Sequence, residues 1–361
     1  MGKTYIKQYI ENYKDIKLTS SNFNEVDAAI LSTLCLIDVS SSIPFEKSNK
    51  TITFKKVLEI QINKHGLSKL GLLLPISLTK TLLQASLTKR FGNLLLHDLH
   101  KNVSEKLLTQ STFFTIDLDK DTKIIIFGST DDTVVGWLEN INLLRNEEPT
   151  CNKEAIQYLN KSFNKKYKYF LVGHSKGGFE CAYTYFKTSD EIRKNIIKAY
   201  DFDGPGFSSK STNNFNVIPD NFEFICPKSS YVGRMFNQPI KPKIVKAKFH
   251  GLLQHNPNTW RVKNNHFVTT NKFSKLSSVN INAINKYLGT LNKIDKDILI
   301  NATKKILLSS NDKTLTDLAK HPLKVLKQSH KLTKQEKIKF RNARRSIFVN
   351  QIKELFKSTK N

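Results

Sequence analysis

Residues 168–178 read Lys168-Tyr169-Phe170-Leu171-Val172-Gly173-His174-Ser175-Lys176-Gly177-Gly178. The first half is a short apolar run closed by a glycine, the form of a buried parallel strand. The second half is a Gly-x-Ser-x-Gly sequence that passes at once into a helix predicted from Lys176 to about Lys187. At such a corner the glycines permit a strained strand-to-helix turn that lifts the serine hydroxyl clear of the sheet. The helix N-terminus and the next backbone N–H then face the charge that develops on an attacked carbonyl oxygen. Gly-x-Ser-x-Gly arises often by chance, but a strand before it and a helix after it make it far more specific. The reading makes Ser175 a nucleophile; the bland alternative is a structural Gly-rich turn.

The surrounding chain repeats the same grammar. Lys123-Ile124-Ile125-Ile126-Phe127-Gly128-Ser129-Thr130 is a β-rich run ending in small residues, and a helix is predicted around Cys151 to Ser162. Further strand candidates are IIKAYDF (196–202), NFEFICP (221–227) and KIVKAKF (243–249). Strands alternating with helices over residues 120–250 predict an α/β fold with a mostly parallel central sheet. Upstream, Val26, Ile30, Leu34 and Ile37 share one face of a helix predicted over Asn24 to Ile37. Residues 66–96 form a second apolar, cationic helical region broken at Pro75, either a core helix or a mobile cover. After about Phe273 strand signals cease, and residues 279–361 read as Lys-rich helices. The expected organisation is an N-terminal extension (1–20), an α/β domain (21–270) and a basic C-terminal helical module (271–361).

The chain has 361 residues, 39% of them hydrophobic, enough for a sizeable core; collagen-like and low-complexity classes are excluded. Its 58 Lys and Arg against 31 Asp and Glu give a net charge of +27, which favours an anionic partner without naming it. Residues 286–361 hold 19 Lys and Arg against 6 Asp and Glu, so a fifth of the chain carries about half the excess. Cys35, Cys151, Cys181 and Cys226 are far apart, which argues against a zinc site or a disulfide framework and for packed thiols. The N-terminus has no apolar run of a secretory signal, Ile6 stands where a myristoylation signal needs Ser or Thr, and no stretch is long enough to span a bilayer. The expected location is the cytoplasm or the periphery of a membrane, with export only by a route that uses no cleaved signal.

A nucleophilic serine needs a base, which in this arrangement follows it near the end of the domain. His250, His255 and His266 lie downstream. His255, in Gln254-His255-Asn256-Pro257-Asn258-Thr259-Trp260, follows the last strand candidate and is the best placed; His250 is its rival.

Taken together, Thr130-Asp131-Asp132-Thr133 with Val135-Gly136-Trp137, the GHSKGG run, Asp203-Gly204-Pro205-Gly206-Phe207, Ser229-Ser230-Tyr231-Val232-Gly233, and Gln254-His255 with Trp260 occur in one order. Phe23-Asn24-Glu25-Val26-Asp27 and Arg90-Phe91 belong to the same pattern. Over roughly residues 20–267 the chain resembles a bacterial lipase-like α/β-hydrolase family, the Mbeg1-like family, long labelled a domain of unknown function and related to the class-three (fungal-type) lipases. The resemblance implies a serine hydrolase of carboxylic esters, lipids above all, with Ser175 as nucleophile and His255 as base. Thr130 falls where those lipases place a hydroxyl donor to the oxyanion, and Lys176 contributes its backbone N–H. Two departures stand out. Phe127-Gly128-Ser129-Thr130-Asp131 replaces the usual Phe-Arg-Gly-Thr-Asp, and Ser229-Ser230 occupies the place of the triad acid. Asp203, after IIKAYDF, is either the acid supplied one strand early or a carboxylate that holds the DGPGF turn.

The leading function is therefore a lipase or phospholipase acting by a Ser-His acyl-enzyme mechanism, with no metal or organic cofactor. Its partners would be a lipid or ester substrate and an anionic membrane surface met by the basic C-terminal helices. The alternative is a catalytically weakened hydrolase fold kept as a membrane- or protein-binding module. Nucleic-acid binding rests only on dispersed lysines and is the weakest reading. Acyl length, headgroup and oligomeric state are not legible.

Overall fold

Ile124 and Ile126 belong to one apolar layer, and Ile125 and Phe127 to another, as period-two alternation in a strand covered on both faces requires. A computed structural model describes residues 4–46, 48–67, 76–145, 149–207, 220–308, 312–321, 323, 327 and 330–359. Among these, eight strands join one sheet in chain order: β1 (Ile52–Thr53), β2 (Leu95–Ser104), β3 (Thr109–Asp117), β4 (Thr122–Phe127), β5 (Lys168–His174), β6 (Ile196–Phe202), β7 (Phe222–Pro227) and β8 (Lys243–Val245). The pairings from β1 to β4 are antiparallel and those from β4 to β8 parallel. One face is covered by α1 (Ile6–Tyr13), α2 (Glu25–Ser32), α3 (Phe54–His65) and α4 (Ile76–Ser86). On the other side α5 (Val134–Asn142) and α6 (Thr150–Ser162) pack on β3, and α7 (Lys176–Lys187) packs on β5 and β6. A single turn, α8 (Asp190–Arg193), leads into β6. The result is a three-layer α/β-hydrolase-like architecture with a mostly parallel central sheet. All four cysteines are buried free thiols. Among the described residues no helix is long and apolar enough to cross a membrane.

Several elements differ from their sequence reading. The helix predicted to Ile37 is α-helical only to Ser32 and continues as a 3₁₀ turn over Thr33–Leu36. It is buried on every side, because it lies between the sheet and the chain around it, so a one-faced pattern understates its burial. Within 66–96, residues 68–75 lie outside the described residues; α4 is a core helix through Leu78, Leu82 and Ala85, and Leu95 already starts β2. Neither β2 nor β3 was legible, since both are rich in polar residues. Those of β3 are buried because carboxylates reach them: Thr109 Oγ1 and the Gln110 N–H donate to Glu139 at 2.7 and 2.9 Å.

Beyond Phe267 the chain forms α9 (Lys275–Gly289), α10 (Lys293–Leu307), α11 (Leu315–Lys320) and α12 (Lys334–Thr359). These helices are not detached from the sheet domain. Asn280 Nδ2 donates to the Tyr231 hydroxyl at 2.7 Å, Asn285 Nδ2 to the Arg234 carbonyl at 2.8 Å, and Arg145 Nε to Asp297 Oδ1 at 2.8 Å.

Candidate active site

Every parallel strand delivers its next residues to the same edge of the sheet, the edge where ligands bind in folds of this class. After β4 comes Gly128-Ser129-Thr130, after β5 Ser175, after β6 Asp203, after β7 Ser229-Ser230, and after β8 the loop that carries His255.

Ser175 has φ 58° and ψ −124°, a left-handed backbone that a non-glycine residue adopts only under constraint. Two bonds impose it. The Ser175 N–H donates to the Phe202 carbonyl at 2.9 Å, and the Ser175 carbonyl accepts from the Phe179 N–H at 3.2 Å. The flanking glycines are needed for close approach. A Cβ on Gly173 would lie 1.9 Å from the Gly177 carbonyl oxygen, and one on Gly177 would lie 2.1 Å from that of Phe127. Ser175 is half-buried at the head of α7.

The histidine and the carboxylate meet. His255 Nδ1 lies 2.7 Å from Asp203 Oδ2, with the Asp203 side chain buried and the imidazole 24% exposed. Asp203 Oδ1 accepts from the Ser230 hydroxyl at 2.5 Å and from the Gly233 N–H at 3.1 Å. Asp203 is thus bonded to His255 in this structure. The DGPGF turn is held by Asp201 instead, whose Oδ1 accepts the Gly204 N–H at 2.9 Å. Burial keeps the Asp201 carboxyl well above the usual carboxylate range. His250 and His266 are both exposed at the surface.

Four further residues support the site; His174, Ser230 and Gln254 lie inside segments already marked in the sequence, though without these roles, and Asn140 does not. His174 packs against His255 with ring centroids 4.6 Å apart, and its Nε2–H donates to the His255 carbonyl at 2.8 Å. Burial and the neighbouring His255 push its pKa down to about 3, so it is a neutral strut. Ser230 orients Asp203 from the place where a triad acid was expected. Gln254 ties the loop together: its Oε1 accepts the Ser229 N–H, its Nε2 donates to the Phe249 carbonyl, and its own carbonyl accepts from the buried Trp260 indole, each at 2.7 Å. Asn140 Nδ2 donates to Thr130 Oγ1 at 2.9 Å. Asn140 alone carried no local signal, since it lies outside every quoted segment.

Thr130 is half-buried, and its hydroxyl also approaches Asn140 Oδ1 at 3.2 Å. With its oxygen fixed by the Asn140 amide, the hydroxyl proton alone has to turn to reach an oxyanion. At Gly128 a Cβ would lie 2.6 Å from the Thr112 carbonyl oxygen, so this backbone admits no side chain at that position. Lys176 turns its side chain inward, with Nζ 2.9 Å from Glu139 Oε2 and 3.2 Å from Glu180 Oε1, so only its backbone is available to the site. Burial pushes the Glu180 carboxyl up to about 8. Among the described residues no group of three or more His, Cys, Asp or Glu is placed to hold a metal ion.

The model of the Mbeg1-like family matches residues 85–303. The match runs through α9 and into α10, past residue 270, where the α/β domain was expected to end. No curated protein matches the chain. Among solved structures it is similar to one described as the crystal structure of M37 lipase, with 14% identity over 38% of this chain and a TM-score of 0.28. The chain spans about half (54%) of that lipase's length.

Proposed function

The chain belongs to the Mbeg1-like family, and from that premise we propose that it is a serine hydrolase cleaving carboxylic esters, a lipase or phospholipase working at a lipid surface. The observation that carries the reading is the 2.7 Å bond between His255 Nδ1 and Asp203 Oδ2 beside a serine held at φ 58°. With Nδ1–H committed to Asp203, the other imidazole nitrogen, Nε2, is the basic one. Nε2 takes the Ser175 proton as Oγ attacks the ester carbonyl. The oxyanion forms against the Lys176 N–H and the Thr130 hydroxyl. His255 then returns the proton to the departing alkoxide, leaving an acyl-serine that water hydrolyses by the same relay. A carboxylate bonded to His255 argues against the alternative of a catalytically weakened fold, which rested on the lack of an acid. The excess positive charge, concentrated in the C-terminal helices, draws the enzyme to anionic lipid.

The test is release of fatty acid from phospholipid vesicles, and of p-nitrophenol from a short-chain ester, by wild type and Ser175→Ala. The expected result is turnover that falls by about 10⁴-fold or more in the variant. Equal background rates for both proteins would overturn the reading.

A further inference from the structure

The loop that carries His255 also carries the most conspicuous apolar protrusion beside the site. Phe249, Leu252 and Leu253 are 50, 68 and 64% exposed, and Lys246, Lys248 and His250 around them are exposed too. Flexibility does not account for this exposure, because the backbone is pinned. The Lys248 N–H donates to the Thr259 carbonyl at 2.7 Å, and the Phe249 carbonyl accepts from Gln254 Nε2 at 2.7 Å. Phe249 is held at φ 65° and Gly251 at φ 60°, and a Cβ on Gly251 would stand 3.1 Å from the Tyr231 ring. Three large apolar side chains are thus presented to solvent by a framework anchored on Gln254 and the buried Trp260. Lys248 Nζ sits 4.8 Å from the centre of the Phe249 ring, so a cation lies directly against the apolar tip.

We propose that residues 248–253 are a preformed membrane-docking tip, in which Phe249, Leu252 and Leu253 enter the acyl region of an anionic phospholipid bilayer while Lys246 and Lys248 meet the phosphates. Apolar side chains ringed by ammonium groups fit that boundary, where the first leave water and the second keep it. The charge of the whole chain, +27, matches a negative surface in sign. This inference rests on the ester-hydrolase reading for its purpose: Leu253 is two residues from His255, so docking sets the mouth of the site on the bilayer, and an ester enters without crossing water. Because the backbone at Lys248 and Phe249 is already held, insertion has chiefly side-chain ordering to offset.

The experiment uses full-length protein carrying Ser175→Ala, so that the vesicles are not degraded, and vesicles of phosphatidylglycerol and phosphatidylcholine. Combining Phe249→Ser, Leu252→Ser and Leu253→Ser should lower the fraction co-sedimenting by about tenfold or more at unchanged melting temperature. A separate Leu252→Trp variant should show a blue shift on vesicle addition and quenching by brominated acyl chains. The inference is overturned if the triple variant binds as the parent does, or if the new tryptophan stays in water while the protein is bound, which would assign binding to charge alone. It is equally overturned if the parent binds no vesicle, which would leave the tip to a protein partner. Hydrolysis of a soluble ester by wild type separates the two claims. Ser175-dependent hydrolysis without vesicle insertion sinks the docking tip alone, and insertion without such hydrolysis sinks the enzyme reading alone.

Discussion

Asp203 uses its two oxygens differently, one for orientation and one for the histidine. Oδ1 is fixed by Ser230 and the Gly233 N–H, and Oδ2 faces His255. Asp203→Asn keeps the shape but lets an amide N–H face Nδ1, which favours the wrong tautomer, and kcat on a soluble ester should fall by about 10⁴-fold. Ser230→Ala leaves the carboxylate in place with one donor fewer, and a loss of about tenfold is expected, in keeping with one hydrogen bond to a charged group. Comparable losses for the two variants would show that Ser230 has a larger role than orientation. The acid could not be fixed from the sequence because Ser229-Ser230 fill its expected place and Asp203 suited either a triad acid or a turn-holding carboxylate; only the fold shows Asp201 bonded to the turn and Asp203 to His255. His174 and His97 set opposite flanks of the pH dependence of stability. Native His174 resists protonation down to about 3, whereas an unfolded histidine protonates near 6.5, so stability falls as pH drops through that window, by up to ~1.4 kcal/mol per unit. For His97 burial works against charge, but bonds to Asp117 and Asp98 outweigh it and raise the pKa to about 9. Its contribution is present below pH 6.5 and is lost as pH rises towards 9. In urea titrations His174→Gln should flatten the acid flank and His97→Gln the alkaline one; unaltered slopes would refute the assignments.

At the scale of elements, α2 is fixed by a buried ion pair rather than by its own periodicity. Arg90 Nη2 and Nε meet Asp27 Oδ2 and Oδ1 at 2.6 and 2.8 Å, and the Tyr9 hydroxyl donates to Asp27 Oδ1 at 2.8 Å. Asn24 caps the helix by accepting from Val26 and Asp27. The network joins α1, α2 and the turn after α4. Arg90→Met leaves a carboxylate buried without its cation, and a loss of about 3–5 kcal/mol is expected in denaturant unfolding. A loss below 1 kcal/mol would mean that water or relaxation replaces the guanidinium. Which elements were legible follows from the same physics. The parallel strands β4 to β7 are covered on both sides and had to be written in apolar residues, so their runs stand out. Strand β3 is equally buried, yet the Thr109 hydroxyl and the Gln110 backbone N–H are satisfied by Glu139, a partner on a helix some 30 residues later. A strand whose polar groups are answered across the fold leaves no local pattern.

On the scale of the whole molecule, the C-terminal helices reach back to the loop that bears Thr130. The Val134 N–H donates to the Lys313 carbonyl at 2.9 Å, the Leu315 N–H to the Asp132 carbonyl at 2.8 Å, and the Thr316 N–H to Asp132 Oδ2 at 3.2 Å. On the proposed function, the basic region would have two separable effects, attraction to anionic lipid through its charge and bracing of the Thr130 loop through these backbone bonds. Leu315→Pro isolates the second. Leu315 is the first residue of α11, where proline fits the helix, and Thr314 before it is already extended at φ −122° and ψ 154°. The substitution removes one N–H and no charge. Because a single hydrogen bond is worth about 1 kcal/mol, kcat on a soluble ester should fall by up to about fivefold, with vesicle binding unchanged. Deleting residues 312–361 removes the brace and 14 Lys and Arg together, so turnover and vesicle binding should both fall. If Leu315→Pro turns over as wild type does while the deletion loses only binding, the C-terminal helices act through charge alone and the loop holds its shape without them.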